Sequence, residues 1–288
     1  CGVGRPESTT DDPAAVESDR IVGGRPVPDQ ANYSWMAWIV SSPGGFCGGA
    51  LINDRYLLTS SSCVSAGRSG FFWVTLGDLD ISISFESQLM QTSATAIVHP
   101  RYDPGTREND VALLRLETPV DFSAHPHIRP LCLSSGVDPA VGTRLIISGW
   151  GHTAGSDSGN SGELLEATTY VISQESCREN FGSNITENFI CTQSAGKNIC
   201  FGDCGGPLMY RNPAGYYESA GIASFFEYQC SAEYGGVFAK TANYVEDFIK
   251  GNTKDAQWCQ TPSGVHRHHS SLRLRLFWFL LLASSAWK

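Results

Sequence analysis

The chain has 288 residues, 41% of them hydrophobic, enough to bury a substantial core in one large domain or two small ones. Its formal net charge of −9, with no basic cluster in the body of the sequence, argues against nucleic acid as a partner, because phosphate binding needs concentrated Lys and Arg. Ten cysteines at scattered spacings point to an oxidising compartment, hence secretion or the cell surface. Residues 1–20 are acidic and weakly hydrophobic with no core-forming period, and read as a leader or linker. The chain opens at Cys1 without a methionine or apolar leader, which reads as a signal peptide already removed. Short strands with turn signals between them are predicted over Trp35–Val40, Phe71–Leu76, Ile81–Phe85 and Val111–Leu116. A second set follows at Arg144–Ser148, Thr169–Ile172, Pro207–Tyr210, Ser219–Ser224 and Gly236–Ala239. Only Tyr244–Lys250 has helical spacing, with Val245, Phe248 and Ile249 apolar and Gly251 placed to end it. Many short strands with one terminal helix is an all-β pattern.

Against that background stands Asn198–Leu208, which reads Asn-Ile-Cys-Phe-Gly-Asp-Cys-Gly-Gly-Pro-Leu. Its Gly-Asp-x-Gly-Gly-Pro-Leu run resembles the nucleophile loop of the chymotrypsin/trypsin family of serine proteases, with Cys204 where the catalytic serine belongs. The glycines suit a loop whose N–H groups crowd toward one oxyanion. Arg20 followed by Ile21-Val22-Gly23-Gly24 resembles the family's activation site, where cleavage frees an ammonium that pairs with the Asp before the nucleophile, here Asp203. The alternative is a basic residue beside a strand whose Ile and Val are ordinary core. Asn109-Asp110-Val111-Ala112-Leu113-Leu114 resembles the aspartate motif, making Asp110 the counterpart of the triad Asp. The resemblance covers roughly residues 21–250. It implies two packed six-stranded antiparallel β-barrels, about 21–130 and 131–243, then a helix at 244–250 and a tail at 251–288.

The resemblance also exposes departures. Leu58-Thr59-Ser60-Ser61-Ser62-Cys63 puts Ser62 where the family carries its histidine base, and a neutral hydroxyl takes no proton near pH 7. Ser62 is expected to donate a hydrogen bond to Asp110 instead, while the N–H groups of Gly202 and Cys204 remain candidate oxyanion donors. His99 and His152 are the histidines weighed as substitute bases, and by family position neither reaches the nucleophile. Asn198 falls at the floor of the specificity pocket, Phe226 at a wall where glycine leaves room, and Gly236 at a second wall expected to stay open.

Cys47/Cys63, Cys177/Cys191 and Cys200/Cys230 match three family disulfides, and Cys1 with Cys132 would tether the leader, as in some members. A fifth family bridge is replaced at both ends by Leu145 and Tyr210, which leaves Cys204 and Cys259 without assigned partners; a disulfide through Cys204 stays open. Asn32-Tyr33-Ser34 and Asn184-Ile185-Thr186 are glycosylation sequons. Near Ser263–Gly264, small residues, a spacer and the apolar end Leu272–Trp287 resemble a GPI-attachment signal; a disordered or interfacial tail is the alternative, and its uninterrupted run is too short to span a bilayer. No Cys-x-x-Cys pair or His-rich cluster suggests zinc, His266, His268 and His269 lie in a polar tail, and neither a metal nor a cofactor is implied. The residues together suggest a secreted or surface-anchored protease homologue that binds proteins (a protease, an inhibitor or a receptor) without cleaving them. The competing reading is a peptidase or acyl-transfer enzyme that uses Cys204 with another base.

Overall fold

The structure, a computed structural model, describes residues 1–4, 21–41, 44–65, 70–83, 89–133, 136, 138–153 and 159–259. Arg20, most of the leader, the end of the Ile81–Phe85 segment and the candidate GPI signal lie outside these residues. A short strand, β1 (Arg25–Pro26), precedes six that close on themselves: β2 (Met36–Ser41), β3 (Gly45–Leu51), β4 (Tyr56–Thr59), β5 (Phe71–Leu76), β6 (Met90–Val98) and β7 (Ala112–Leu116). They run β2-β3-β4-β7-β6-β5, antiparallel throughout, with β5 returning to β2. Alternation explains β5: Phe72, Val74 and Leu76 point into the core while Phe71 and Trp73 face outward.

After β8 (Cys132–Leu133) a second ring forms from β9 (Arg144–Gly149), β10 (Leu165–Val171), β11 (Phe189–Gln193), β12 (Pro207–Arg211), β13 (Tyr217–Phe226) and β14 (Gly236–Lys240). Its order, β9-β10-β11-β14-β13-β12, closes through β12 on β9, with β1 added to β10 and β8 beside β13. The fold is therefore two closed six-stranded antiparallel β-barrels. Trp35, Leu51, Leu57, Phe72 and Leu114 fill the first. Leu145 and Tyr210 both pack into the second barrel's cluster, so apolar packing occupies the place of the absent bridge.

Several local expectations change. Ile81 and Ser82 form a turn rather than a strand, with Asp80 accepting from the Ser82 N–H and hydroxyl. The terminal segment winds as a 3₁₀ turn, Thr241–Tyr244, then a π-helix, Val245–Lys250. Gly251 does not end it: its backbone stays right-handed helical, and the winding runs on to Asn252. Val245, Phe248 and Ile249 still supply the buried face, against Ile52, Leu58 and Leu113 of the first barrel. Two helices, α1 (Ser61–Ser65) and α2 (Gln174–Phe181), carry no apolar stripe. The Ser173 hydroxyl caps α2 by accepting from Ser176 N–H, and Cys177 staples it to β11.

Residues beyond 250 also belong to the folded body. Asp255 accepts from Tyr56 Oη at 2.7 Å and pairs with Arg115 at 3.0 Å, and Gln257 N–H donates to Asp54 Oδ1 at 2.7 Å. No helix among the described residues is long and apolar enough to cross a membrane. Cys1–Cys132, Cys47–Cys63, Cys177–Cys191 and Cys200–Cys230 are disulfides, while Cys204 and Cys259 are free thiols. Asn184 is exposed, whereas Asn32 is only 5% exposed.

Candidate functional site

Strand register brings the candidate residues together. Thr59 of β4 pairs with Ala112 of β7, so the turn after β4 and the turn before β7 share one end of the first barrel. Ser62 and Asp110 meet there. Asp110 Oδ1 accepts from the Ser62 N–H at 2.6 Å and Oδ2 from the Ser62 hydroxyl at 2.9 Å. The Ser224 hydroxyl, on β13 of the other barrel, gives the carboxylate a third donor, into Oδ2 at 2.5 Å. Asp110 is fully buried. Burial raises its pKa from the ordinary carboxylate value, and the bonds from Ser224 and Ser62 pull it partly back.

Cys204 arrives from the second barrel. The loop before β12 is stitched to β13 by Gly205 N–H to Ala223 O at 2.8 Å and Ala223 N–H to Gly206 O at 2.9 Å. The Cys204 carbonyl accepts from the Gly48 N–H at 2.9 Å, fixing the loop to β3 of the first barrel. Its thiol lies 3.6 Å from the Ser224 carbonyl oxygen. Burial, followed by the charges of Asp110 and Asp203, pushes the thiol up to about 12. At pH 7 that leaves about one thiol in 10⁵ ionised, against a few per cent for a free cysteine. Gly202 has φ +97°, and a Cβ built there would sit 2.0 Å from the Phe46 ring, so the loop can be closed only by glycine at this point.

The residues expected to line a specificity pocket are packed against their neighbours. Asn198 Nδ2 donates to Ser231 O at 2.9 Å and Gly235 O at 3.0 Å, and its Oδ1 accepts from Ile199 N–H at 2.9 Å. All of the Asn198 side chain's polar atoms are thus engaged. At Gly236 the Ile199 side chain comes within 3.0 Å of where a Cβ would stand. Phe226 packs edge-on against Phe201, ring centroids 5.2 Å apart, and Phe201 meets His152 at 5.9 Å.

Ile21 is fully buried in the second barrel's cluster, and Val22 O accepts from Asn198 N–H at 3.2 Å. Asp203 is 2% exposed; its carboxylate accepts from Gly151 N–H and Cys200 N–H, each at 2.9 Å. Desolvation raises it to about 7, and the two amides only moderate that rise. His99 is also spoken for: its ring packs on Tyr244 and Phe248, its Nδ1 accepts from Arg101 N–H, and burial lowers its pKa. His152 stacks on Phe46 at 6.1 Å.

Sequence reasoning missed Ile199, Phe46 and Phe201, although an apolar residue beside Asn198 was a usable sign. It also missed Arg107, whose guanidinium stands 4.0 Å from Asp110 Oδ2 and 3.3 Å from Tyr102 Oη. Arg107 and Asn109 have positive φ, 64° and 55°, conformations that a residue list does not announce.

The trypsin family model matches residues 21–249. Trypsin II-P29 of Gallus gallus is 34% identical over 239 residues, covering 81% of this chain and 90% of that protein. Serine protease 1 of Rattus norvegicus is 33% identical over 245 residues, covering 82% and 92% respectively. The serine protease filzig of Drosophila melanogaster is 36% identical over 245 residues, which is 80% of this chain but only 14% of that much longer protein. A match of that extent, on a fold of two closed barrels with Ser62, Asp110 and Cys204 at their junction, means that the chain belongs to the trypsin family of serine proteases.

Proposed function

We propose that this protein is a non-catalytic member of the family that works by binding other proteins: a protease, an inhibitor or a receptor. One observation carries the reading. Ser62 and Ser224 both donate to Asp110 beside Cys204, and among the described residues no histidine stands where it could take a proton from the thiol and return it to a leaving amine. The high thiol pKa and the packing of Ile199 and Phe226 where a pocket is expected support the same conclusion from independent directions. Cleavage after Arg20 would then act as a conformational signal through Asp203. We also infer an extracellular site of action, in keeping with four disulfides, with attachment to a membrane through the tail beyond residue 260.

The test is to cleave after Arg20 and offer broad peptide substrates together with a fluorophosphonate probe and a thiol-reactive probe. No turnover is expected from the cleaved or the intact form. Sustained hydrolysis that disappears in Cys204→Ala would overturn the proposal in favour of Cys204 chemistry. Affinity capture with intact and cleaved protein then asks whether the partner distinguishes the two.

A further inference from the structure

Three sulfurs converge where the N-terminal segment meets the C-terminal one. Cys1 and Cys132 are bonded to each other, and the Cys259 thiol lies in contact with the Cys1 backbone nitrogen. All three cysteines line one cavity of about 350 Å³, together with Ile52, Val245 and Trp258. Cys259 is free and exposed. Its position is no accident of a loose tail, because the segment just before it is clamped. Asp255 is held by Tyr56 and Arg115, and residues 54 and 257 bond in both directions, Gln257 N–H to Asp54 Oδ1 and Asp54 N–H to Gln257 O. On the other side, Gly2 N–H donates to Pro130 O and Gly2 O accepts from Tyr217 N–H, each at 2.8 Å, so the N-terminal segment keeps its seat without the disulfide.

We propose that Cys259 is an exchange thiol for the Cys1–Cys132 bridge, able to take over Cys1 and release Cys132. The Cys259 thiolate, its proton lost to solvent, attacks Sγ of Cys1. A Cys1–Cys259 bond forms as Cys1–Cys132 breaks, and the electron pair leaves on Cys132 Sγ, which takes a proton. One disulfide and one thiol stand on each side, so no external oxidant or reductant enters. The contact with the Cys1 nitrogen places the Cys259 thiol against the residue that carries one sulfur of the bridge, and the clamp at Asp255 and Gln257 removes most of the search that a free tail would need. The exchange moves the N-terminal tether from β8 to the C-terminal segment and leaves a buried thiol beside β13.

The experiment holds the full chain at pH 8 without added thiol, starting from protein kept at pH 5. Samples are quenched at intervals with acid and N-ethylmaleimide, and the linkages are read by mass spectrometry of non-reduced digests. The expected result is a Cys1–Cys259 peptide rising to a constant fraction over minutes to hours, the range of uncatalysed rearrangement, with alkylated Cys132 rising in step. Cys259→Ser should keep Cys1–Cys132 throughout, and Cys132→Ser, given oxidised glutathione as the oxidant, should close Cys1–Cys259 instead. Absence of the Cys1–Cys259 linkage after about a day, well beyond that range, would overturn the proposal. So would a Cys1–Cys259 peptide that appears only alongside linkages to Cys204, since that pattern is general scrambling.

Discussion

Replacing Asp203 by asparagine should reverse the order of stability of variant and parent between low and high pH. Asp203 is held protonated by burial, with its pKa raised from 3.8 to about 7. A carboxyl whose folded pKa lies above its unfolded one favours folding fully below the unfolded value, and that contribution is lost as pH rises toward the folded value. The window is therefore pH 4 to 7. A gap of about three pH units at 1.36 kcal/mol each amounts to roughly 4 kcal/mol lost across it. Asparagine cannot ionise, but it can accept only one of the two amide donors, from Gly151 and Cys200, and turns its own N–H₂ toward the other. That should cost about 1–3 kcal/mol at every pH. Asp203→Asn is thus expected to be less stable than the parent at pH 4.5 and more stable at pH 8. Urea unfolding of both proteins at half-unit pH steps gives the difference directly and cancels the titration of the other carboxylates. A difference that stays constant from pH 4.5 to 8 would refute the reasoning, because it would mean that the folded chain stabilises an ionised Asp203. The same series on chain cut after Arg20 asks whether a new ammonium reverses the trend.

Further outcomes follow from the same geometry. Iodoacetamide at pH 8 should label the exposed Cys259 well before Cys204, whose thiol burial pushes up to about 12, and the two should react alike in urea, as peptide mapping would read. Ser224→Ala and Ser62→Ala should each destabilise by about 1.5–3 kcal/mol, since each removes a hydroxyl donor from the buried Asp110 carboxylate; a neutral effect in urea titration would mean that water replaces it. Ile199→Ala should cost about 2–5 kcal/mol and open a hole beneath Gly236, visible as new binding of a small apolar ligand by calorimetry. If stability drops but nothing binds, the pocket wall has collapsed.

Much of the fold was legible because alternation and family motifs agreed. The strand at Phe71–Leu76 is marked by its own period, and the four disulfides follow from the resemblance. Strands β3 and β6 were not legible: Gly45, Gly48 and Gly49 weaken one, and Gln91, Thr92 and Ser93 make the other polar. What holds them is pairing inside a closed barrel, which is a long-range property. At the site, the residue types at 62, 110 and 204 announced the altered chemistry. What packing does there was hidden. Gly236 reads as space until Ile199 is seen beside it, and Arg107 reads as a surface charge until a left-handed turn aims it at Asp110.

The clamp at Asp255 has a practical consequence for anyone trimming this protein. A family alignment stops at residue 249, and a fragment cut there would appear complete. It would strip Tyr56 of its acceptor, Arg115 of its counter-ion and Asp54 of its backbone partner, uncovering one end of the first barrel beside β4 and β7. Such a fragment would be expected to express poorly for reasons unrelated to its altered triad. The packed body therefore runs on at least to Gln257, past the last helical turn.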